Sequence, residues 1–506
     1  MNVQSPLLSG IAYLLNRLHR AVASRKAKPA YPITLNGTNI RYAEPPVGEL
    51  RFAKPVAPRT NRSQIQDGLD GASCFQAIPD WGQVASQFVP AYLEGKALDV
   101  SKLNSSATNW FHVGDTPMSE DCLFLDVYAP KTVLEGAEAQ SIHAGAPVLV
   151  WIYGGGYVFG SKEYWGNPAT LIESSSSNHT EGVIFIALNY RLGAFGWLAG
   201  PSLQSNGTAN AGLFDQRLAL NWIQQYVRQF GGDPERVTVM GESAGGGSIM
   251  LQITAYGGAA GPAPFHQAIP QSPAIQPLPS PYESEVVTND FLSILNASSV
   301  QSARQLSSNI LARANSDFIA RSPYGRFTFG PVVDGSFVPA MPGNLLLQGA
   351  FDHSVKLLLG HNSDEGILFT TPFLSNETDF VQYWRGLFPV AQPKVLDYIV
   401  EVLYPPIYDG SYGYTDIFAR SSQLVADVVI VCNTYFLDKA FQNKTRAYLF
   451  GVPPGLHAMD VPYTFYNGPS SEVKSPDVAL AMQRYFTSFA GTGVPRASGL
   501  PTITSS

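Results

Sequence analysis

The sequence contains little cysteine, little charge and no long apolar run. Its 506 residues include only three cysteines, Cys74, Cys122 and Cys432, which excludes a scaffold built from disulfides, and their spacing matches no zinc site. Charged residues make up only 14% of the chain, and 32 Lys and Arg stand against 39 Asp and Glu. We therefore expect no nucleic-acid partner, because phosphate binding requires clustered positive charge. No run of 18 apolar residues occurs, which predicts the absence of a membrane span.

The asparagines point to the secretory pathway more clearly than the cysteines do. N-x-S/T sequons occur roughly twice as often as the composition alone would give, and such sequons mark candidate glycan sites on the surface of secreted proteins. The candidate glycosylation sites are Asn36, Asn61, Asn104, Asn178, Asn206, Asn296, Asn376 and Asn443.

Residues 1–30 form an N-terminal extension to a single domain that we predict over residues 31–506. The apolar run SPLLSGIAYLL (5–15) is typical of a signal peptide, and AVA (21–23) resembles a cleavage site. Arg17 and Arg20 nevertheless lie where the segment before cleavage should be neutral. An amphipathic N-terminal helix or a misassigned start therefore stays open beside secretion.

The rest of the chain alternates apolar runs with helical patterns. The runs PVLVWIY (147–153), VIFIALNY (183–190) and RVTVM (236–240) are rich in β-branched residues without polar alternation, as strands buried on both faces are. Between the last two, residues 210–230 place apolar side chains at helical spacing, and Gly231-Gly232 ends the pattern. This order predicts right-handed crossovers, a mostly parallel sheet and an α/β fold with its chemistry at the carboxyl ends of the strands.

The segment VTVMGESAGGGS (237–248) places Ser243 in a G-x-S-x-G motif. The motif is short and the chain has 46 glycines, so its context has to decide. Here it follows a predicted strand and precedes a predicted helix, which is the setting of a serine nucleophile, and Gly241 and Gly245 avoid collisions with neighbouring elements. The competing use of such a turn is phosphate binding, but the lysine of G-x-x-x-x-G-K-[ST] is missing and no G-x-G-x-x-G occurs.

Three consecutive glycines follow the first predicted strand, in the segment WIYGGGY (151–157). Unhindered backbone N–H groups in such a loop can hold a developing oxyanion, together with the N–H that follows the nucleophile. Gly155, Gly156 and Ala244 are therefore the candidate oxyanion donors. A plain tight turn is the alternative interpretation.

Six longer segments add a family resemblance. They are YAEPPVGELRF (42–52), SEDCLFLDVYAP (119–130), WIYGGGYVFG (151–160), NYRLGAFGW (189–197), NAGLFDQRLALNWI (210–223) and GESAGG (241–246). In this order they resemble the type B carboxylesterase/lipase family, the cholinesterase-like branch of the α/β-hydrolase fold, with a fungal-type esterase as the nearest kind. The resemblance implies a mostly parallel sheet flanked by helices, and hydrolysis of a small-molecule ester without a cofactor or metal. It leaves the oligomeric state open.

The resemblance also implies partners for Ser243. The acid of the family lies in a D-E-G motif after a strand, here in LLGHNSDEG (358–366), which implies Glu365, with Asp364 as the nearest rival. The histidine of the family lies in a loop after a late strand, here in YLFGVPPGLHAMD (448–460), which implies His457. Without the resemblance any of the eight histidines stays open, and only the chain order Ser, acid, His favours a late one.

A further implication of the resemblance is a disulfide between Cys74 and Cys122 that closes a lid or rim loop over the site. The enclosed segment is rich in aromatic residues, and VASQFVPAYLEG (84–95) has some amphipathic character. A bland surface loop is the alternative. The aromatic residues concerned are Trp81, Phe88, Tyr92, Trp110 and Phe111.

Five other residues receive structural roles only. Arg51 with Glu120, and Arg191 with Asp215, match charge pairs that serve structure in the family. Cys432 lies in the apolar run LVADVVIVCNTYF, where we expect a buried, inert thiol.

Three functions fit these features. The first is a secreted serine esterase with a Ser243–Glu365–His457 triad. The second keeps this chemistry but acts as a lipase on lipid esters at an interface. The third is a non-catalytic adhesion protein of the cholinesterase-like kind, which the intact triad argues against.

Overall fold

The computed structural model describes the chain from residue 35 to residue 497 with gaps. The described residues are 35–59, 68, 71–96, 98–103, 117–138, 145–164, 166–175, 182–276, 280–388 and 391–497. The extension at residues 1–30 therefore lies outside them.

Ten strands of the described residues form one large and one small sheet. They are β1 Leu35–Arg41, β2 Ser73–Cys74, β3 Met118–Ser119, β4 Phe124–Ala129, β5 Ala146–Ile152, β6 Ile184–Leu188, β7 Gly232–Glu242, β8 Gln267–Gln271, β9 Lys356–Asn362 and β10 Arg446–Phe450. The large sheet has eight strands in the order β1-β4-β6-β5-β7-β8-β9-β10, and β2 pairs with β3. β1 and β4 are antiparallel to their neighbours, whereas β6, β5, β7, β8, β9 and β10 run parallel. The predicted mostly parallel sheet is confirmed.

The three strands that the sequence predicts are β5, β6 and β7. β5 and β6 are buried along their whole length, because helices and loops cover both faces of the sheet and leave no place for polar alternation. β5 and β7 lie side by side in the sheet. From β5 the chain continues to β6 on one side, and from β7 it continues to β8 on the other side. This arrangement opens a crevice at their carboxyl ends, the usual place for a ligand in such folds.

The helices connect the strands and cover the sheet. They are α1 Trp81–Leu93, α2 Lys131–Glu138, α3 Ala169–Ser175, α4 Gly193–Trp197, α5 Pro201–Gln204, α6 Ala211–Tyr226, α7 Ala244–Ile253, α8 Pro281–Ile294, α9 Val300–Arg304, α10 Ser308–Ala320, α11 Pro342–Leu347, α12 Glu377–Leu387, α13 Pro393–Tyr398, α14 Ile417–Ala426, α15 Cys432–Ala440, α16 Val461–Thr464 and α17 Pro476–Thr492. Both α7 and α17 pack on β5 and β7. None of the described helices is long and apolar enough to span a bilayer.

The predicted helix between β6 and β7 is α6, and it ends slightly earlier than its apolar pattern. A 3₁₀ turn, Val227–Phe230, continues the pattern, and Gly231 then adopts φ 78°. Glycine takes this left-handed conformation without the steric cost that a Cβ would bring. Gly232 already belongs to β7.

A second hydrophobic core lies beside the sheet, in a layer that we call the cap (residues 81–93 and 367–430). Its core includes Phe380, Trp384, Leu396 and Val400. Two π-helical turns interrupt the cap, at Ile399–Leu403 and Asp427–Val431.

Buried Arg420 ties the elements of the cap together. Its guanidinium donates to the carbonyls of Val400 and Tyr404 at 2.7 and 2.8 Å, pairs with Glu377 at 2.7 Å and lies 3.9 Å above the ring of Phe380. A buried guanidinium is tolerated because these partners satisfy its donors.

The interpretation of Cys432 needs a correction. Its thiol is only half-buried. The residue is the first of α15 and follows the π turn directly, where the chain is partly open to solvent. Burial still raises the pKa of this thiol, helped by the charge of Asp427, which keeps it in the unreactive thiol form.

Candidate active site

Ser243 lies on a strained turn between β7 and α7. Its backbone has φ 58° and ψ −121°, a conformation that costs a residue with a side chain about 1–3 kcal/mol. The end of β8 holds the turn, since Ser243 N donates to the Gln271 carbonyl and Ala274 N donates to the Ser243 carbonyl, each at 3.0 Å. The turn places the hydroxyl at the carboxyl edge of the sheet.

Glycines on either side of Ser243 allow the close packing that holds this turn. A Cβ at Gly241 would lie 2.5 Å from the Ile152 carbonyl oxygen, and one at Gly245 would lie 2.0 Å from the same atom. No side chain fits at these distances, so both positions require glycine for steric reasons, as predicted.

Ser243, His457 and Glu365 form one chain of hydrogen bonds. The Ser243 Oγ lies 2.8 Å from His457 Nε2, and His457 Nδ1 lies 2.5 Å from Glu365 Oε2. The three residues follow β7, β10 and β9, whose carboxyl ends meet at one edge of the sheet. All three are buried, so water competes little for these hydrogen bonds.

The carboxylate of Glu365 is held firmly in this chain. Its second oxygen, Oε1, accepts from Ser272 Oγ and from Asn362 N, each at 2.6 Å. Burial raises the pKa of Glu365, but the charge of His457 and these hydrogen bonds outweigh it and keep the pKa below its usual value. Asp364 is exposed and accepts from Ser363 Oγ instead, so the structure brings Glu365 and not its rival to the imidazole.

Glu242 is an additional carboxyl group at the imidazole. Its Oε1 lies 3.2 Å from His457 Nε2, and neither of its oxygens has a hydrogen-bond partner among the described residues. Burial raises the pKa of Glu242 to about 8, with Asp460 and Glu365 adding to the effect against His457. Burial lowers the pKa of His457, but Glu242 and Glu365 outweigh it and raise that pKa to about 9. The imidazole and Glu242 therefore titrate as a coupled pair.

The glycine loop after β5 packs directly against the serine turn. A Cβ at Gly154 would lie 2.9 Å from the Ser243 Cβ. Gly155 and Gly156 have φ values of 93° and 59°, and no hydrogen-bond partner for their N–H groups occurs among the described residues. Ala244 begins α7, so its N–H also lacks an intrahelical acceptor. Three free donors thus lie in the segments that flank the Ser243 hydroxyl.

The predicted disulfide and charge pairs are present. Cys74 is bonded to Cys122. Arg51 donates to both carboxylate oxygens of Glu120 at 2.7 Å, and Arg191 bonds Asp215 in the same two-pronged way at 2.8 and 2.7 Å. These pairs are buried, and among the described residues neither pair is hydrogen-bonded to the triad, as expected for a structural role.

The loop closed by this disulfide contributes α1 to the cap. Trp81 is buried against the cap core, and Phe88 and Tyr92 stack on each other. Trp110 and Phe111 lie outside the described residues, so the rim interpretation stays a prediction.

The sequons differ in their setting. Four of the asparagines are exposed, Asn206, Asn296, Asn376 and Asn443, and Asn36 lies in β1. The asparagines at 61, 104 and 178 lie outside the described residues.

The sequence did not predict three polar residues that contact the triad. Glu242 lies inside the G-x-S-x-G motif, but only the sharp turn at Ser243 brings its side chain to His457 Nε2. Ser272 and Asn362 reach Glu365 because β8 and β9 end beside each other, and no motif marks either residue.

Comparisons with known proteins show the family of the chain. The model of the carboxylesterase family matches residues 38–504. The carboxylesterase patB of Penicillium expansum is 42% identical over 480 residues, which is 92% of this chain and 85% of that protein. A secreted lipase of Arthroderma benhamiae is 33% identical over 384 residues, 74% of this chain and 72% of that protein.

A solved structure supports the same fold. The crystal structure of Aspergillus niger EstA aligns with a TM-score of 0.73 at 26% identity, and the alignment covers 92% of this chain and 87% of that one. The α/β-hydrolase fold predicted from the motifs is thereby confirmed. The chain belongs to the carboxylesterase family, and the relatives named above are a carboxylesterase and a lipase, which are both carboxylic ester hydrolases.

Proposed function

We propose that the protein hydrolyses carboxylic esters through an acyl-enzyme on Ser243, with His457 as general base and Glu365 as its acid partner. The observation that carries this proposal is the buried chain of hydrogen bonds from Glu365 through His457 to Ser243, at 2.5 and 2.8 Å. Free N–H groups beside the serine supply the second requirement of acyl transfer, a place for negative charge on the substrate oxygen.

The mechanism follows from the contacts. His457 Nε2 accepts the proton of Ser243 as Oγ attacks the ester carbonyl, while Glu365 fixes the Nδ1–H tautomer and stabilises the imidazolium. The N–H groups of Gly155, Gly156 and Ala244 bind the oxyanion of the tetrahedral intermediate. His457 then donates its proton to the leaving alcohol, and water hydrolyses the acyl-enzyme by the same route.

Ser243→Ala tests this proposal. We expect a folded variant whose hydrolysis of p-nitrophenyl esters falls to background, a loss of about 10⁶-fold in kcat, because the nucleophile is gone. The exposed Ser205→Ala serves as the matched control and should keep full activity. Turnover by Ser243→Ala at the wild-type rate would contradict the proposal.

A second candidate, a lipase that acts on lipid esters at an oil–water interface, is favoured by one surface feature. Val395, Tyr398 and Val402 are 47%, 54% and 56% exposed and lie three and four residues apart, along α13 and the π turn after it. Leu396 and Val400 on the other side of this helix fill the cap core. An apolar helix face open to solvent suits contact with a lipid surface, and the secreted lipase of Arthroderma benhamiae is a relative of this chain.

Emulsified tributyrin separates the two candidates. A lipase should hydrolyse it faster once the ester exceeds its solubility, and replacing Val395, Tyr398 and Val402 together by serine should remove this increase while sparing hydrolysis of dissolved p-nitrophenyl acetate. A rate that reaches its maximum below the solubility limit of tributyrin would favour an esterase that acts on dissolved esters. Failure to hydrolyse any ester would instead favour the adhesion protein, against which the intact triad now argues.

Secretion is proposed as the localisation, with glycans on the exposed sequons. The secreted lipase relative is compatible with it. After expression in a fungal host, we expect a mass loss on treatment with peptide-N-glycosidase F and deamidation at Asn206, Asn296, Asn376 or Asn443. Secreted protein without any such mass change would contradict the glycosylation proposal.

A further inference from the structure

The oxyanion loop (residues 154–160) has little conformational preference of its own. Four of its residues have positive φ, with values from 59° to 116°, and three of these four are glycines, whose freedom leaves a backbone loosely specified. Within the loop, the N–H groups of Val158 and Phe159 both donate to the Gly155 carbonyl at 3.1 Å. The direction of the proposed oxyanion donors therefore depends on contacts from outside the loop.

A buried glutamine holds the end of this loop. Gln76 Oε1 accepts from Gly160 N at 2.7 Å, and Gln76 is 7% exposed. Among the described residues, this is the only hydrogen bond between a side chain and the backbone of the oxyanion loop. The next residue adds a second contact, because Ala77 N donates to the Val158 carbonyl at 3.1 Å. The segment around Gln76 therefore binds the second half of the loop at two points.

The bond to Gln76 restrains a peptide group that packs on an oxyanion donor. The Gly160 N–H and the Phe159 carbonyl belong to one planar peptide group and point in opposite directions. A Cβ placed on Gly155 would lie only 2.1 Å from this carbonyl oxygen. A rotation of the peptide group would therefore shift Gly155 together with its N–H. Gln76 opposes such a rotation, because it holds the N–H on the other side of the group.

Gln76 is itself held by the disulfide and by an aromatic stack. It lies two residues after Cys74, which is bonded to Cys122 and belongs to β2, the partner of β3 in the small sheet. The ring of the intervening Phe75 stacks on Phe195 with centroids 5.4 Å apart. These contacts restrain the backbone from which the glutamine side chain reaches the loop.

We propose that Gln76 is a positioning residue that directs the N–H groups of Gly155 and Gly156 at the oxyanion. Such donors are effective because they are aligned before the charge develops, and a misplacement of about 1 Å can cost about 10²-fold in rate. Without the Gln76 acceptor, the buried Gly160 N–H is left unsatisfied, which favours a rearrangement of the loop. The inference rests on the proposed ester hydrolysis.

Gln76→Met tests the inference with p-nitrophenyl acetate as the substrate. Methionine has a similar length, but its sulfur accepts hydrogen bonds only weakly. We expect kcat to fall by about 10- to 100-fold, less than the loss of a whole donor, with KM changed by less than about threefold. The Ki of a trifluoromethyl ketone should rise by a similar factor as kcat falls, because its adduct with Ser243 resembles the transition state. A merely structural role would lower the thermal midpoint without separating kcat from KM.

Three other variants make the result specific. Gln76→Glu keeps an acceptor oxygen, and the buried carboxyl group stays protonated and uncharged, so kcat should return close to the wild-type value. Gln76→Asn withdraws the oxygen by one methylene and should lower kcat, which serves if Gln76→Met folds poorly. Gln267→Met is the matched control, since Gln267 is also 7% exposed and donates to Thr238 Oγ1 and the Ala490 carbonyl. Gln267 begins β8, whose other end holds the serine turn, so its replacement should cost stability but not kcat.

The outcomes separate this inference from the proposed function. Unchanged kcat and Ki in the folded Gln76→Met and Gln76→Asn variants would overturn the inference alone, because the wild type would still be an esterase. An equal loss of kcat in Gln267→Met, or a Gln76→Glu variant as slow as Gln76→Met, would also overturn it. A wild type that does not hydrolyse p-nitrophenyl acetate would refute the proposed function and the inference with it.

Discussion

Glu242→Gln gives the sharpest test of the electrostatics around His457. The substitution keeps the shape of the side chain and removes its charge, 3.2 Å from His457 Nε2 in a fully buried position. A carboxylate at such a distance shifts the pKa of a neighbouring group by about one to three units. Burial alone lowers the pKa of His457, and the Glu242 and Glu365 carboxylates raise it to about 9. Without Glu242 we expect the pKa to fall by about one unit or more.

The sign of the effect on activity follows from the role of the imidazole. A general base acts only when it is neutral, so activity rises with pH as His457 loses its proton. This rise is the acidic limb of the pH profile. In the wild type it lies at high pH, because the imidazole and the Glu242 carboxyl group share a proton. In Glu242→Gln the limb moves to lower pH, and the variant reaches a larger fraction of its maximal activity at pH 7.

The assay is the pH dependence of kcat/KM for p-nitrophenyl acetate, which reports the ionisation of the free enzyme. Hydrolysis by hydroxide is subtracted at each pH. Asp364→Asn is the matched control, because this carboxylate is exposed on the same loop as Glu365 and is bonded to Ser363. An acidic limb that stays in place in Glu242→Gln, or moves equally in Asp364→Asn, would refute this reasoning.

Three further substitutions test separate parts of the site. Glu365→Gln should lower kcat by about 10⁴ with little change in fold, because an amide stabilises the wrong imidazole tautomer. A Glu365→Gln variant that keeps its activity while Asp364→Asn loses it would reverse the choice of acid. Gly156→Ala should lower kcat by about 10²–10³. The new Cβ would lie 2.4 Å from the Phe327 ring, at a backbone φ of 59°, and would displace the oxyanion loop. A normal kcat would show that the Gly156 N–H is not an oxyanion donor. Replacing Cys74 and Cys122 by serine should destabilise the fold by about 4 kcal/mol, from the loop entropy of a separation of 48 residues, seen as a lower thermal midpoint; an unchanged midpoint would contradict it.

The parts of the site that the sequence predicts are those dictated by local sterics. The positive φ of Ser243 and the absent Cβ atoms at Gly241 and Gly245 follow from one short turn between a strand and a helix. Buried parallel strands are recognisable because they lack polar alternation. His457 and Glu365 lie far from Ser243 in the chain, and residue chemistry alone left several candidates, so their prediction depended on the family resemblance.

The remaining parts depend on contacts between segments distant in sequence. Ser272 reaches Glu365 only because β8 and β9 end together. The contact between Glu242 and His457 requires both the serine turn and the loop after β10. The cap core joins α1 to residues 367–430, and no sequence pattern predicted its π turns at Ile399–Leu403 and Asp427–Val431. Cys432 illustrates the same limit, because its apolar neighbours in sequence did not determine how far it is buried.

The most direct test of the account is to find where an ester-like inhibitor becomes attached. The wild type is incubated with a fluorophosphonate until hydrolysis of p-nitrophenyl acetate stops, and its peptides are then analysed by mass spectrometry. We predict one phosphonyl group per chain, on Ser243, in proportion to the lost activity, and none in Ser243→Ala. Attachment to another residue, or full inhibition with Ser243 unmodified, would contradict the central claim that Ser243 is the nucleophile.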